Sequence, residues 1–148
     1  MRVVLLGLLF LTVGLVGCQP VIPTDLAADV EKSNPMAKVV SDKYSKDQII
    51  DCAHFSVVAT DATREAAELA ELADINAAFK LLNSVFTGAY FLKTEEMKSI
   101  EDIAKQSSLY DVLDIDMMNT TENLSIDAAV KLEVCRPLME TIFAEHLE

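Results

Sequence analysis

Between Pro35 and Gly88 the chain holds neither glycine nor proline, and no stretch of it alternates apolar and polar residues with the period of a strand. With no breaker and no two-residue period, this stretch is read as helical. Asn34-Pro35 has the form of an N-cap followed by proline at the first helical position. Ser45-Lys46-Asp47-Gln48 is a capping box, Ser45 bonding forward and Gln48 reaching back. The helix that follows is expected to turn Ile49, Cys52, Ala53, Ser56, Val57 and Thr60 inward. Thr60-Asp61-Ala62-Thr63 favours caps over helix interiors, so a break or kink is placed there. Against it, Ala59, Ala62, Ala66, Ala70, Ala73 and Ala77 keep three- and four-residue spacing across the same region, which leaves one long helix open. The alanine stripe is read as core packing that lets a neighbouring helix come close.

Ile75 to Leu92 is the most apolar segment after residue 17. Phe79, Leu82, Val85, Phe86, Ala89 and Tyr90 share a broad face, while Leu81 and Phe91 point elsewhere. Such a helix is either central and buried all round or borders a groove, and Leu81, Phe91 and Leu92 are the candidate partner-binding residues. Thr94 with Glu95 and Glu96 is expected to open a third helix through Met97, Ile100, Ile103 and Ala104. Asp111 to Asn123 is expected to be a loop or frayed turn. Ser125 should cap a last helix with Ile126, Ala129, Val130, Val134 or Cys135, Leu138, Ile142 and Phe143 inward and a kink at Pro137. The fold class is all-α, an antiparallel bundle of about four helices.

Three cysteines are present. Cys52 and Cys135 lie near the two ends of the helical region and read as one disulfide joining the first and last core helices, with free buried thiols as the alternative. The third, Cys18, ends Leu15-Val16-Gly17-Cys18, which closes an apolar run that begins just after Arg2. This resembles the lipobox of bacterial lipoproteins. The run is shorter than the about 20 residues a spanning helix needs, and three of the four glycines fall inside it. One positive residue, a short apolar core and a small residue before the cut are signal-peptide anatomy. The resemblance implies that residues 1–17 are removed, that Cys18 carries acyl chains, and that two or more chains hold it in a bilayer. By the same analogy, Gln19 after the cysteine favours the outer membrane, with the domain in the periplasm. Residues 18–34, with Pro20 and Pro23, then read as lipidated N-terminus and tether, with only a weak turn near Thr24–Val30, and residues 35–148 as the bundle.

Removal of Arg2 with the leader moves the net charge from −12 to −13, against 24 acidic residues. That charge argues against nucleic acid, whose phosphates would repel it, and against a domain lying flat on an anionic membrane. It suits plain solubility or a basic partner. No cofactor is called for and no catalytic set is found. Cys52 and His54 diverge by roughly 200° on a helix, and His146 is near the chain end. Asp111, Asp114, Asp116, Asn119 and Glu122 lack the glycine and alternate spacing of an EF-hand loop, so they are read as a solvated acidic loop. Met117 and Met118 are core filler or an adaptable contact surface. Three function classes remain: a tethered protein-binding module, a carrier of an apolar ligand, and an enzyme. In the first class the layout resembles the pilotins of secretin assembly, small helical outer-membrane lipoproteins, often disulfide-linked between an early and a late helix, that hold a helical tail. The lipobox, the Cys52/Cys135 pair and Cys135-Arg136 before a late apolar stretch carry the resemblance. It implies another envelope protein as partner. An immunity, inhibitor or phage-exclusion lipoprotein is the rival in that class.

Overall fold

A computed structural model describes residues 24–64, 70–113 and 131–146. The lipobox, Cys18, Asp114, Asp116, Met117, Met118, Asn119, Glu122 and Ser125 lie outside the described residues. Among the described residues there is no strand. The helices are α1 (Thr24–Ser33), α2 (Pro35–Lys43), α3 (Lys46–Arg64), α4 (Ala70–Thr94), α5 (Ile100–Ala104) and α6 (Arg136–His146). They pack around α4, which touches α1, α2, α3, α5 and α6. The all-α bundle expected from the sequence is present.

Asn34 organises the start of the domain. Its backbone N–H closes α1 onto the Val30 carbonyl at 2.8 Å, and its side-chain oxygen caps α2 by accepting from the Ala37 N–H at 3.1 Å. Its Nδ2 donates to the Ser84 carbonyl of α4 at 3.2 Å, tying both helices to the centre. The segment read as a weak turn in a tether is thus a ten-residue helix. It is held by tertiary contact that local propensity does not report: Val30 of α1 packs at Gly88 of α4.

The capping box forms as expected, with Gln48 N–H on Ser45 Oγ at 3.2 Å and Ser45 N–H on Gln48 Oε1 at 3.0 Å. The break expected at Thr60–Thr63 does not occur there, since α3 runs through to Arg64. The hydroxyls of Thr60 and Thr63 bond back to the Ser56 and Ala59 carbonyls at 2.7 Å. They are then used again between helices. Asn76 Nδ2 donates to the Thr60 carbonyl and to Thr63 Oγ1, both at 2.9 Å, and Asn83 Nδ2 donates to Thr60 Oγ1 at 3.0 Å. Ser56 Oγ donates to the Phe79 carbonyl. Residues that weaken an isolated helix here form a polar seam that registers α3 against an antiparallel α4, which also rules out one continuous helix. The inner face of α3 is wider than expected. Ile50, Asp51, His54, Val58 and Ala59 are buried along with Ile49, Cys52, Ala53 and Ser56, whereas Val57 and Thr60 are half-buried. The cause is that α4 packs on one side of α3 and α5 on another. Of the alanine stripe, Ala59 is buried, Ala62 and Ala73 are half-buried and Ala77 is exposed, while Ala66 lies outside the described residues.

Thr94 ends α4 instead of opening the next helix. Glu95 takes φ 60°, the left-handed geometry of a helix stop, and its N–H reaches the Phe91 carbonyl at 2.7 Å. Ser99 caps α5 by accepting from the Asp102 N–H at 3.2 Å. Pro137 does not kink a longer helix. Residues 131–133 are helical, Val134 and Cys135 turn, and α6 starts at Arg136. That puts the proline in the first turn, where its missing N–H costs nothing. Cys135, in the turn just before α6, is bonded to Cys52 with Cα atoms 5.6 Å apart and 83 positions of chain between them.

Candidate binding surface

The outer side of α4 meets the elbow between α1 and α2 in an open groove of about 860 Å³. Val30, Pro35, Met36 and Val39 form one wall, and Leu81, Val85 and Gly88 of α4 form the other. Ser33, Asn34, Ser84 and Thr87 supply its polar atoms. From Leu81 to Gly88 the groove follows two turns of α4, about 10 Å at 1.5 Å per residue. Its rim carries two large apolar side chains left in solvent, Val39 at 54% and Leu81 at 38% exposure.

The three partner-binding candidates separate. Leu81 borders this groove. Phe91 is buried at 7% exposure and walls a smaller cavity of about 150 Å³, shared with Leu26, Val30, Met97 and Lys98. Leu92 is half-buried against the core. The α4 sequence alone therefore points to one true rim residue. Val39, the more exposed rim residue, was not singled out from the sequence. Its only signal was position: it stands beside the buried Val40 on a short helix, where a second valine has nowhere to go but outward.

Gly88 brings α4 close under α2 beside the groove. A Cβ on residue 88 would meet the Ala37 Cβ at 2.9 Å and Val30 Cγ1 at 3.4 Å. Near the end of α2, the Val40 carbonyl accepts from the Tyr44 N–H at 2.9 Å and the Ser41 carbonyl from Lys93 Nζ of α4 at 2.8 Å.

A second cavity, of about 470 Å³, lies between α3, α5 and residues 110–113. His54 forms part of its wall with Val57, Val58, Ala104 and Leu113, and Asp61, Glu101 and Lys105 stand at its edge. His54 is buried, donates from Nε2 to the Leu113 carbonyl at 2.9 Å, and packs against Tyr110 with ring centroids 5.2 Å apart. Burial pushes its pKa below the ordinary 6.5, opposed by the Leu113 and Leu109 carbonyls and by Asp51. The imidazole is thus a neutral structural donor. Asp51 is engaged by Ser107 Oγ at 2.6 Å and Ser108 Oγ at 3.3 Å.

Among the described residues, no group of three or more His, Cys, Asp or Glu side chains is placed to hold a metal ion. Among the same residues, no helix is long and apolar enough to cross a membrane. No family model matches the chain, and neither a curated protein nor a solved structure matches it.

Proposed function

We propose that this chain is a membrane-anchored envelope lipoprotein whose helical domain binds another protein without catalysing a reaction. The observation that carries the reading is the groove between the α1–α2 elbow and α4, with Val39 and Leu81 exposed on its rim. An amphipathic helix laid along it would place side chains at three-, four- and seven-residue spacing against two turns of α4. Cys18, acylated after removal of residues 1–17, would hold the domain at the outer membrane, facing the periplasm. Within this class the reading is pilotin-like, the occupant being a helical segment of a larger envelope assembly. The Cys52–Cys135 bridge between an early and a late part of the bundle is in keeping with it.

The test is affinity capture from envelope extract with the full chain and with Leu81→Glu and Val39→Glu. A partner retained by the unaltered protein and lost from both variants, with their melting temperatures unchanged, supports the groove. Equal capture by all three proteins overturns it.

A second reading, a carrier of an apolar ligand, draws on the 470 Å³ cavity beside His54. Native mass spectrometry tests it: a co-purifying small molecule displaced by Val58→Phe would favour the carrier over the protein-binding module.

A further inference from the structure

His54 leaves one buried nitrogen unanswered. The side chain is 4% exposed, and its Nε2 lies 2.9 Å from the Leu113 carbonyl, a spacing that places the ring hydrogen on Nε2. Burial keeps the imidazole neutral, so Nδ1 carries a lone pair and can only accept. Among the described residues nothing donates to it. The Leu109 carbonyl lies near the ring, but it is itself an acceptor and already takes the Val112 and Leu113 N–H groups at 3.0 and 2.8 Å. A buried acceptor with no donor is rare in native interiors and calls for a cause.

The same ring lines the cavity of about 470 Å³ between α3, α5 and residues 110–113. That volume falls in the range of small-molecule sites, which combine an apolar wall with a few placed polar groups. Val57, Val58, Ala104 and Leu113 supply the apolar wall. Tyr110, 45% exposed, stands at the solvent side with its ring against His54. Of the charged groups at the edge, Asp61 is held by Arg64 at 2.8 Å and Lys105 by Asp102 at 3.3 Å. Glu101 forms no ion pair among the described residues, so the unmatched charge at the edge is negative. No lining residue is shared with the groove between the α1–α2 elbow and α4.

We propose that this cavity binds an aliphatic molecule headed by a hydroxyl, its chain against the valines and Leu113 and its O–H donating to His54 Nδ1. The proposal rests on the carrier reading of the cavity and narrows the ligand chemistry. Nδ1 selects a donor, and an ether or ester oxygen has no hydrogen to give. An ionised carboxylate has none either, and it must pass the unpaired charge of Glu101. An ammonium can donate, but burying its charge beside Nδ1 costs far more than burying a hydroxyl. The hydroxyl meets all three conditions. Because the groove lies apart, a ligand here leaves it free for a protein partner.

The test titrates the full chain with 1-decanol, its isomer methyl nonyl ether, and decanoate, followed by NMR. His146→Gln leaves His54 as the single imidazole. Decanol is expected to bind about fivefold tighter than the ether, the worth of one hydrogen bond of about 1 kcal/mol, and at least tenfold tighter than decanoate. Decanol alone should move the His54 Nδ1 resonance upfield, as acceptance of a hydrogen bond does. Val58→Phe should abolish binding. Nuclear Overhauser contacts from the decanol chain to the Val57 and Val58 methyls locate the ligand in the unaltered cavity should that variant misfold. Decanol and ether binding alike at those methyls with Nδ1 unmoved, or decanoate binding as tightly as decanol, overturns the hydroxyl proposal and leaves the carrier reading standing. Binding of none of the three, or binding without contact to Val57 and Val58, overturns the carrier reading and this proposal with it.

Discussion

Gly88 and Ala37 are in such close register that a single added carbon at residue 88 would stand 2.9 Å from the Ala37 Cβ. Gly88 has no positive φ, so its role is to let α2 approach α4, not to supply an unusual backbone. Both atoms in the clash are fixed to helical backbone, and neither can swing away. Gly88→Val is therefore expected to cost about 1–3 kcal/mol, the range for overpacking a filled interior. Thermal melting measures it. An unchanged melting temperature would mean that α2 slides aside freely and that the groove floor is soft.

The Cys52–Cys135 bridge closes a long loop between buried residues, each 1% exposed. In the chain-entropy model a loop of this size is worth about 4–5 kcal/mol, because the cross-link restricts the unfolded chain far more than the folded one. Cys52→Ala is expected to lower the denaturation midpoint clearly in oxidising buffer. Reductant should then change the variant little and the parent protein much. Full reaction of both cysteines with a thiol reagent in the native protein would contradict the bridge.

His54 makes stability depend on pH with a definite sign. Its folded-state pKa lies below 6.5, first because burial disfavours the charged ring. The unfolded chain therefore binds the proton more readily. The contribution is complete above the unfolded value and is lost as pH falls from about 6.5 through the depressed folded-state value. Urea midpoints between pH 7.5 and 5 should fall more steeply for the parent than for His54→Gln, which keeps a donor for the Leu113 carbonyl but does not titrate. Parallel slopes would show that His54 has no part in the acid sensitivity.

What could be read from the sequence was local. Asn34-Pro35 and the Ser45/Gln48 box are short-range hydrogen-bond patterns, and both form as written. The buried face of α4 follows its helical period from Phe79 to Tyr90. The misplaced boundaries share a different cause. Thr60 and Thr63 have poor propensity for a helix interior, yet their second bonding partners, Asn76 and Asn83, are supplied by another helix. Thr94 resembles a cap, but Glu95 accepts a left-handed conformation that its residue type does not advertise. The helix α1 was missed because its stability comes from Val30 on Gly88, a contact across more than fifty residues. The groove was half legible for the same reason. Leu81 stood out on α4, whereas the wall bearing Val39 exists only once α2 has folded onto it.

Leu81 and Phe91 then give the sharpest separation between surface and core. They sit on the same helix and were equivalent as candidates, but one is 38% exposed on the groove rim and the other is 7% exposed beneath α1. A carboxylate at residue 81 remains in water and costs little, within the about 0.5 kcal/mol typical of surface changes. At residue 91 it must be buried without a partner or expelled with its helix, which costs several kcal/mol. Leu81→Glu is therefore expected to leave the melting temperature within a degree or two of the parent while abolishing partner capture. Phe91→Glu is expected to unfold the domain or to lower its melting temperature by ten degrees or more. Circular dichroism melts of the two variants, run beside the capture assay, decide between them. If Leu81→Glu melts as low as Phe91→Glu, Leu81 belongs to the core and the binding surface is not the groove it borders.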